Sequence, residues 1–151
     1  MTDPKQFCTF YINDTLFGIE VLTVQEVLRY QEMTEVPLAA PEIKGLINLR
    51  GQIITAIDLR TRMQLPPREA DQKPMNIVVQ TNDEVISFLV DSIGDVLEVD
   101  EEAFEEAPST VDDSTRELVT GVYKLDGKLL MILDTAKAAN VSASEGLTSP
   151  S

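Results

Sequence analysis

No histidine and no tryptophan occur in these 151 residues, and cysteine occurs once. The missing imidazole removes the commonest general base and the commonest metal ligand. A lone thiol, Cys8, cannot close an internal disulfide, which fits a reducing compartment. It lies in a largely apolar run, so it reads as a small packed hydrophobe rather than a redox site. Aromatics make up only 5% of the chain, so any core must be assembled from Val, Ile and Leu, which suit pleated, half-buried surfaces. Basic residues are scarce as well, 12 Lys and Arg against 26 Asp and Glu, for a formal charge of -14. Phosphate binding depends on clustered Lys and Arg, so the balance argues against nucleic acid and against an anionic membrane surface. The start, Met1-Thr2-Asp3-Pro4-Lys5, lacks the apolar stretch of a secretory signal. No apolar run approaches the ~20 residues of a membrane-spanning helix. The expectation is a cytoplasmic chain with no direct membrane insertion.

Hydrophobic residues nevertheless reach 43%, enough to build a packed core. They fall in short β-rich runs separated by turn residues. Phe7–Ile12 and Leu16–Ile19 flank Asn13-Asp14 and predict a hairpin. Val21–Leu28 predicts a strand with an irregular start. Val36-Pro37 and Ala40-Pro41 predict an extended segment. The apolar arms on either side of Arg50-Gly51 predict a second hairpin, and Asn76–Gln80 and Val85–Val90 around Asn82-Asp83 a third. Glu98–Glu106 is acidic and reads as a solvated connection, or as a strip that steers a basic partner. Gly121–Leu125 and Lys128–Leu133 flank Asp126-Gly127, the strongest hairpin signal in the chain. Thr135–Ala139 predicts one or two helical turns, and Ser142 onward a disordered tail. Many short strands with little helix predict an all-β sandwich or barrel.

The chain also repeats itself. Phe17–Leu28 aligns without gaps on Ile86–Leu97, with Val21 on Val90, Val27 on Val96 and Leu28 on Leu97. Gly45–Ile54 aligns on Gly121–Leu130, and Asp58 then meets Asp134. Two β-units of roughly 60 residues would each be marginal alone, so they are expected to pack on one another. Positions on which the halves agree serve the fold. Gly51 and Gly127 are expected to supply positive φ, and Asp58 and Asp134 to cap the turns that follow them. Positions on which the halves differ point to function, and the sharpest is Arg50 against Asp126 at the tip of the same hairpin.

Two aspartates in equivalent positions also raise the chemistry of an aspartic protease, in which two carboxylates share a proton. That site needs a glycine after Asp-Thr or Asp-Ser in each half. Here the halves read Asp58-Leu59-Arg60 and Asp134-Thr135-Ala136, and Arg60 would disturb the sharing. No phosphate-binding loop, nucleophile elbow or metal-ligand spacing is present. No catalytic residue, metal or cofactor is expected.

Ile43-Lys44-Gly45-Leu46-Ile47-Asn48-Leu49-Arg50-Gly51, followed by Ile57-Asp58-Leu59-Arg60, resembles the signature of the chemotaxis coupling proteins, the CheW family. Phe17-Gly18-Ile19 with Val24–Val27 resembles the family's upstream block, and Val90-Asp91, Asp95–Leu97, Gly121 and Leu130–Asp134 its second half. The resemblance covers nearly the whole chain. It implies two five-stranded SH3-like barrels on a shared hydrophobic core, with short helical turns. The units would span residues 15–72, and 7–14 together with 73–141, leaving 142–151 as the tail. It implies a non-catalytic adaptor in two-component signalling. The partners would be the regulatory domain of the histidine kinase CheA and the cytoplasmic tip of a methyl-accepting chemoreceptor. A coupling domain serving another motility or second-messenger system fits the same residues.

Matched position by position, the family's partner-binding residues fall on Val24, Glu26, Gly45 and Arg50 in the first half and on Met75, Ser87, Ile93 and Val96 in the second. Pro74-Met75-Asn76 departs from the more apolar run expected there. Read from the residues alone, Val24 and Ile93 suit plain core packing equally well. Arg50 suits a solvated turn residue or an internal ion pair with Glu26 or Asp58.

Overall fold

The computed structural model describes residues 4–81 and 84–140. The turn expected at Asn82-Asp83 and the tail from Ser142 lie outside the described residues.

Eleven strands and three short helices occur among the described residues. The strands are β1 (Lys5–Ile12), β2 (Thr15–Glu20), β3 (Val24–Leu28), β4 (Ile43–Leu49), β5 (Gln52–Asp58), β6 (Met75–Thr81), β7 (Glu84–Val90), β8 (Ser92–Val99), β9 (Phe104–Glu105), β10 (Val119–Leu125) and β11 (Lys128–Leu133). The helices are α1 (Leu59–Arg62), α2 (Asp113–Arg116) and α3 (Thr135–Ala139). A single 3-10 turn, Val21–Thr23, supplies the irregular start before β3. At Pro37 the expected extended segment turns instead, with Leu38 at φ 65 and the Ala39 N–H donating to the Val36 carbonyl at 3.4 Å. The acidic run is not a bare connection. It holds a 3-10 turn and the two-residue β9, which pairs with β10.

The strands form two sheets, in the orders β8-β1-β2-β11-β10-β9 and β3-β6-β7-β5-β4. The expected all-β pair of units is therefore present, with β9 as a sixth strand on one sheet. The sheets do not divide the chain at the expected boundaries. β2 joins the sheet of β1, β8, β10 and β11, whereas β6 and β7 join the sheet of β3, β4 and β5. The physical reason is a crossover in each repeat. After β2, the 3-10 turn redirects the chain so that β3 pairs with β6, and after β7 the bend at Asp91 sends β8 to β1.

The repeat survives in the register. Phe17 on β2 lies opposite Met131 in parallel β11, and the aligned Ile86 on β7 lies opposite Thr55 in parallel β5. Both β4–β5 and β10–β11 carry a register shift just before the aligned Gly45 and Gly121.

Side chains alternate between two cores, as a two-faced strand requires. Phe10, Phe17 and Ile19 from one sheet meet Ile57, Ile77, Val79, Phe88 and Val90 from the other in a central cluster. Phe10 and Phe17 stack there with ring centroids 5.7 Å apart. The opposite faces fill each unit's own interior. Phe7, Leu16, Tyr123, Leu130 and Ile132 fill one, and Ile47, Ala56 and Leu89 the other.

Candidate functional site

The hairpin β4–β5 turns through Arg50 at φ 51 and Gly51 at φ 88. Both central residues are left-handed, which matches the twist of the flanking strands but strains an arginine. The Asn48 side chain helps hold the turn by accepting from the Gly51 N–H at 3.0 Å. In the equivalent hairpin Gly127 has φ 82, and Asp126 is not left-handed. The two glycines thus behave as expected, and the tips differ in backbone as well as in charge.

From that tip the Arg50 guanidinium reaches Glu26 on β3 and forms an ion pair, the internal partner that the sequence left open. β3 and β4 are the two edges of their sheet, so the pair spans the open side of the unit. Arg50 stays 68% exposed and Glu26 25%. Such a pair contributes on the order of 1 kcal/mol or less, and it leaves guanidinium donors free.

The remaining expected positions do not form one patch. Val24, Met75 and Ile93 are partly buried and pack against the central core. Val96 on β8 is 56% exposed, and its repeat partner Val27 on β3 is 40% exposed. These two strands are free edges in the same position of the two sheets. Gly45 is buried, and a Cβ there would meet the Thr34 carbonyl at 2.7 Å. Its role is to let the Thr34 bridge cover β4. Ser87 is fully buried, and its Oγ donates to Asn76 Oδ1 at 2.8 Å, while Asn76 Nδ2 donates to the Arg29 carbonyl at 3.1 Å. Ser87 cannot touch a partner in this conformation. The same pair explains the departure at Pro74-Met75-Asn76, because a buried amide is tolerated when its hydrogen bonds are satisfied.

A second polar cluster went unread in the sequence. The Arg68 guanidinium, 8% exposed, donates from Nη1 to both Asp58 oxygens at 3.0 Å. Its Nε lies 2.9 Å from Asp91 Oδ1. Arg60 donates to the two Asp91 oxygens from Nε at 3.0 Å and Nη2 at 2.8 Å. Asp91 also accepts from the Asn13 N–H at 2.6 Å. Burial pushes the Asp91 carboxyl up, but Arg60, the Asn13 N–H and Arg68 together hold it below its ordinary value. The Asp91 carboxylate thereby joins the β1–β2 turn of one sheet to the chain leaving β7 of the other. Sequence spacing carries no signal for such a cluster, since Asp91 comes from beyond β7 and Arg68 reaches back across ten residues to Asp58.

The two repeat-related aspartates act as caps. Asp58 accepts from the Arg60 N–H at 3.0 Å and Asp134 from the Lys137 N–H at 3.1 Å. Burial pushes the Cys8 thiol above its ordinary value, which disfavours the reactive thiolate. No helix among the described residues is long and apolar enough to cross a membrane.

Duplicated, interlocked β-units with free edges, left-handed hairpin tips and capping aspartates place this chain in the class of paired SH3-like β-proteins. Comparison with known proteins narrows the class. The CheW-like domain matches residues 6–142, and the chain belongs to that family. It is 31% identical over 141 residues to the chemotaxis protein CheW of Bacillus subtilis, covering 93% of this chain and 90% of the relative. It is also 31% identical over 136 residues to that of Klebsiella aerogenes, covering 90% and 82%. The crystal structure of the scaffolding protein CheW from Thermoanaerobacter tengcongensis superimposes with a TM-score of 0.77 at 31% identity, covering 87% of this chain and 89% of that one. The chain is a chemotaxis adaptor of the receptor–kinase signalling system.

Proposed function

We propose that this adaptor works in the cytoplasm without catalysis, binding the regulatory domain of CheA and the helical tip of a methyl-accepting chemoreceptor. The observation that carries the reading is the pair of free edges β3 and β8, each presenting an exposed valine in the same place of the repeat. A strand edge offers unpaired N–H and C=O groups, and an exposed apolar side chain beside it supplies an anchor. A partner built on the same duplicated plan presents matching edges. Contacts made first through one unit and then through the other would extend the assembly.

Arg50 and Glu26 sit beside the β3 edge, and the Arg50 fork supplies donors for a carboxylate or carbonyl on the partner. Val24, Met75 and Ile93 support the two edges from beneath, and Gly45 and Ser87 act through the fold. Asp58 and Asp134 serve as caps, which supports a non-catalytic role.

Sedimentation of the chain with a purified CheA regulatory domain and with a receptor-tip fragment tests the proposal. Complexes with both, weakened by Val27→Asp or Val96→Asp, are expected. No complex at high micromolar concentration with either would sink it.

A further inference from the structure

The two units carry the same cavity with opposite charge. In the unit of β1, a cavity of about 230 Å³ is lined by Lys5, Phe7, Glu20, Glu101, Phe104 and Tyr123. Its acids are answered from within the chain, since Lys5 Nζ lies 3.7 Å from Glu20 and 3.5 Å from Glu101. The Phe104 ring sits over Tyr123 with centroids 5.3 Å apart.

The repeat places the matching cavity in the other unit, where it measures about 280 Å³. Glu20 faces Phe7 across the strands as Leu89 faces Asn76, so Leu89 stands where Glu20 does and Pro74 where Lys5 does. Thr34 bridges β4 as Glu105 bridges β10, which puts Met33 in the place of Phe104. Lys44 replaces Thr120 one residue before the aligned glycines.

The outcome is a cavity walled by Tyr30 and Met33, whose charged lining is Lys44, Asp58, Arg68, Glu69 and Lys73. Arg68 is consumed by Asp58 and Asp91. Lys73 lies over the Tyr30 ring, 4.7 Å from its centroid. Among the described residues neither Lys44 nor Lys73 has a carboxylate within ion-pair distance, a state they share with Arg29, Arg62, Lys128 and Lys137. Of the four cavities described, only this one is lined by more basic than acidic side chains. In a chain of formal charge -14 that local reversal attracts anionic groups at short range, against the repulsion of the chain as a whole.

We infer that this cavity is a docking site for an acidic peptide segment of a partner protein. A Glu or Asp of the segment takes the place that Lys5 fills with inverted charge in the other unit, and a neighbouring apolar side chain rests on Tyr30, Met33 and Leu89. Lys44 lies on the edge strand β4 and Tyr30 two residues beyond β3, but the lining includes neither Arg50 nor the exposed valines Val27 and Val96, so the site is tested through different residues from the contacts proposed above.

The test uses the full chain with no kinase or receptor present. The probe is a fluorescein-labelled peptide of alternating Glu and Leu, with the same peptide carrying Lys for Glu as its control. Fluorescence anisotropy is expected to show binding of the Glu peptide only, weakening as salt rises. Lys44→Glu with Lys73→Glu should weaken it about tenfold or more, as expected for reversing two contacting charges. Lys124→Glu with Lys128→Glu, on the other unit, should leave it unchanged, and unaltered melting of both variants would show that the fold is intact. No binding of the Glu peptide at millimolar concentration would overturn the inference. So would equal loss in the two double variants, which would mean the attraction is not localised in this cavity.

Discussion

Arg50 holds a left-handed backbone position that favours glycine, and its side chain makes only an exposed ion pair with Glu26. Neither feature stabilises the fold much. Arg50→Ala is expected to change unfolding free energy by less than about 1 kcal/mol, as for a surface change, while lowering receptor control of the kinase. Chemical denaturation and a reconstituted kinase assay check the two halves of that statement. Gly51→Val, at φ 88, should destabilise more, because a β-branched residue is a poor fit to positive φ.

Arg68 presents the opposite case. It is buried against two aspartates, so Arg68→Ala strands the Asp58 carboxylate and should cost about 3–5 kcal/mol in a urea titration. Asp91 adds a pH dependence. Its carboxyl titrates lower in the folded chain than in the unfolded one, so its contribution is complete above the unfolded value of about 4. As pH falls toward the folded value, that contribution is lost. Stability should therefore drop on acidification below about pH 4, and Asp91→Asn should flatten part of the drop. Urea titrations of both proteins at neutral and acid pH provide the check. Arg50 was legible in the sequence because the halves disagree there. Arg68 and Asp91 were not, because their partners come from distant segments.

Hairpins were the elements that local patterning revealed best. Alternating apolar runs around Arg50-Gly51 and Asp126-Gly127 announced β4–β5 and β10–β11, since turn residues and period-two burial are local properties. β9 escaped notice because two residues in an acidic run have no periodicity to show. Its place is set by the close approach that Gly121 permits. A Cβ there would meet the Glu105 carbonyl at 2.6 Å, with the Phe104 ring nearer still. Gly45 does the same for the Thr34 bridge. Gly45→Ala, with rigid backbone in its way, should lose roughly 1–3 kcal/mol by overpacking. Differential scanning calorimetry measures that loss, and any accompanying binding defect should scale with it.

Across the whole molecule the central core is the common foundation of both units. Phe88 belongs to it and is fully buried, so Phe88→Ala should cost about 3–5 kcal/mol. Because β2 joins the sheet of β8, β10 and β11 and β7 joins the sheet of β3, β4 and β5, each unit draws strands from both repeats, although β3 to β7 run consecutively. Tyrosine fluorescence reports mainly on the unit containing Tyr11 and Tyr123, and far-ultraviolet circular dichroism reports on both. Their unfolding curves are expected to coincide in a single transition. The crossover also explains why domain boundaries placed at residues 14/15 and 72/73 missed the sheets. A strand's pattern tells which of its faces is buried, but not which strand lies beside it.

Strand positions and turn residues could be read from the order of residues because each depends on neighbours a few positions apart, and the internal repeat with its Arg50–Asp126 contrast because aligning the two halves needs nothing but the sequence. The exchange of hairpins between sheets, the Arg50–Glu26 pair, the Asp91 cluster, the burial of Ser87 and the opposed charges of the two cavities came only with the fold. Each brings together side chains from different elements, and their meeting is decided by which surfaces pack best once the whole chain has closed.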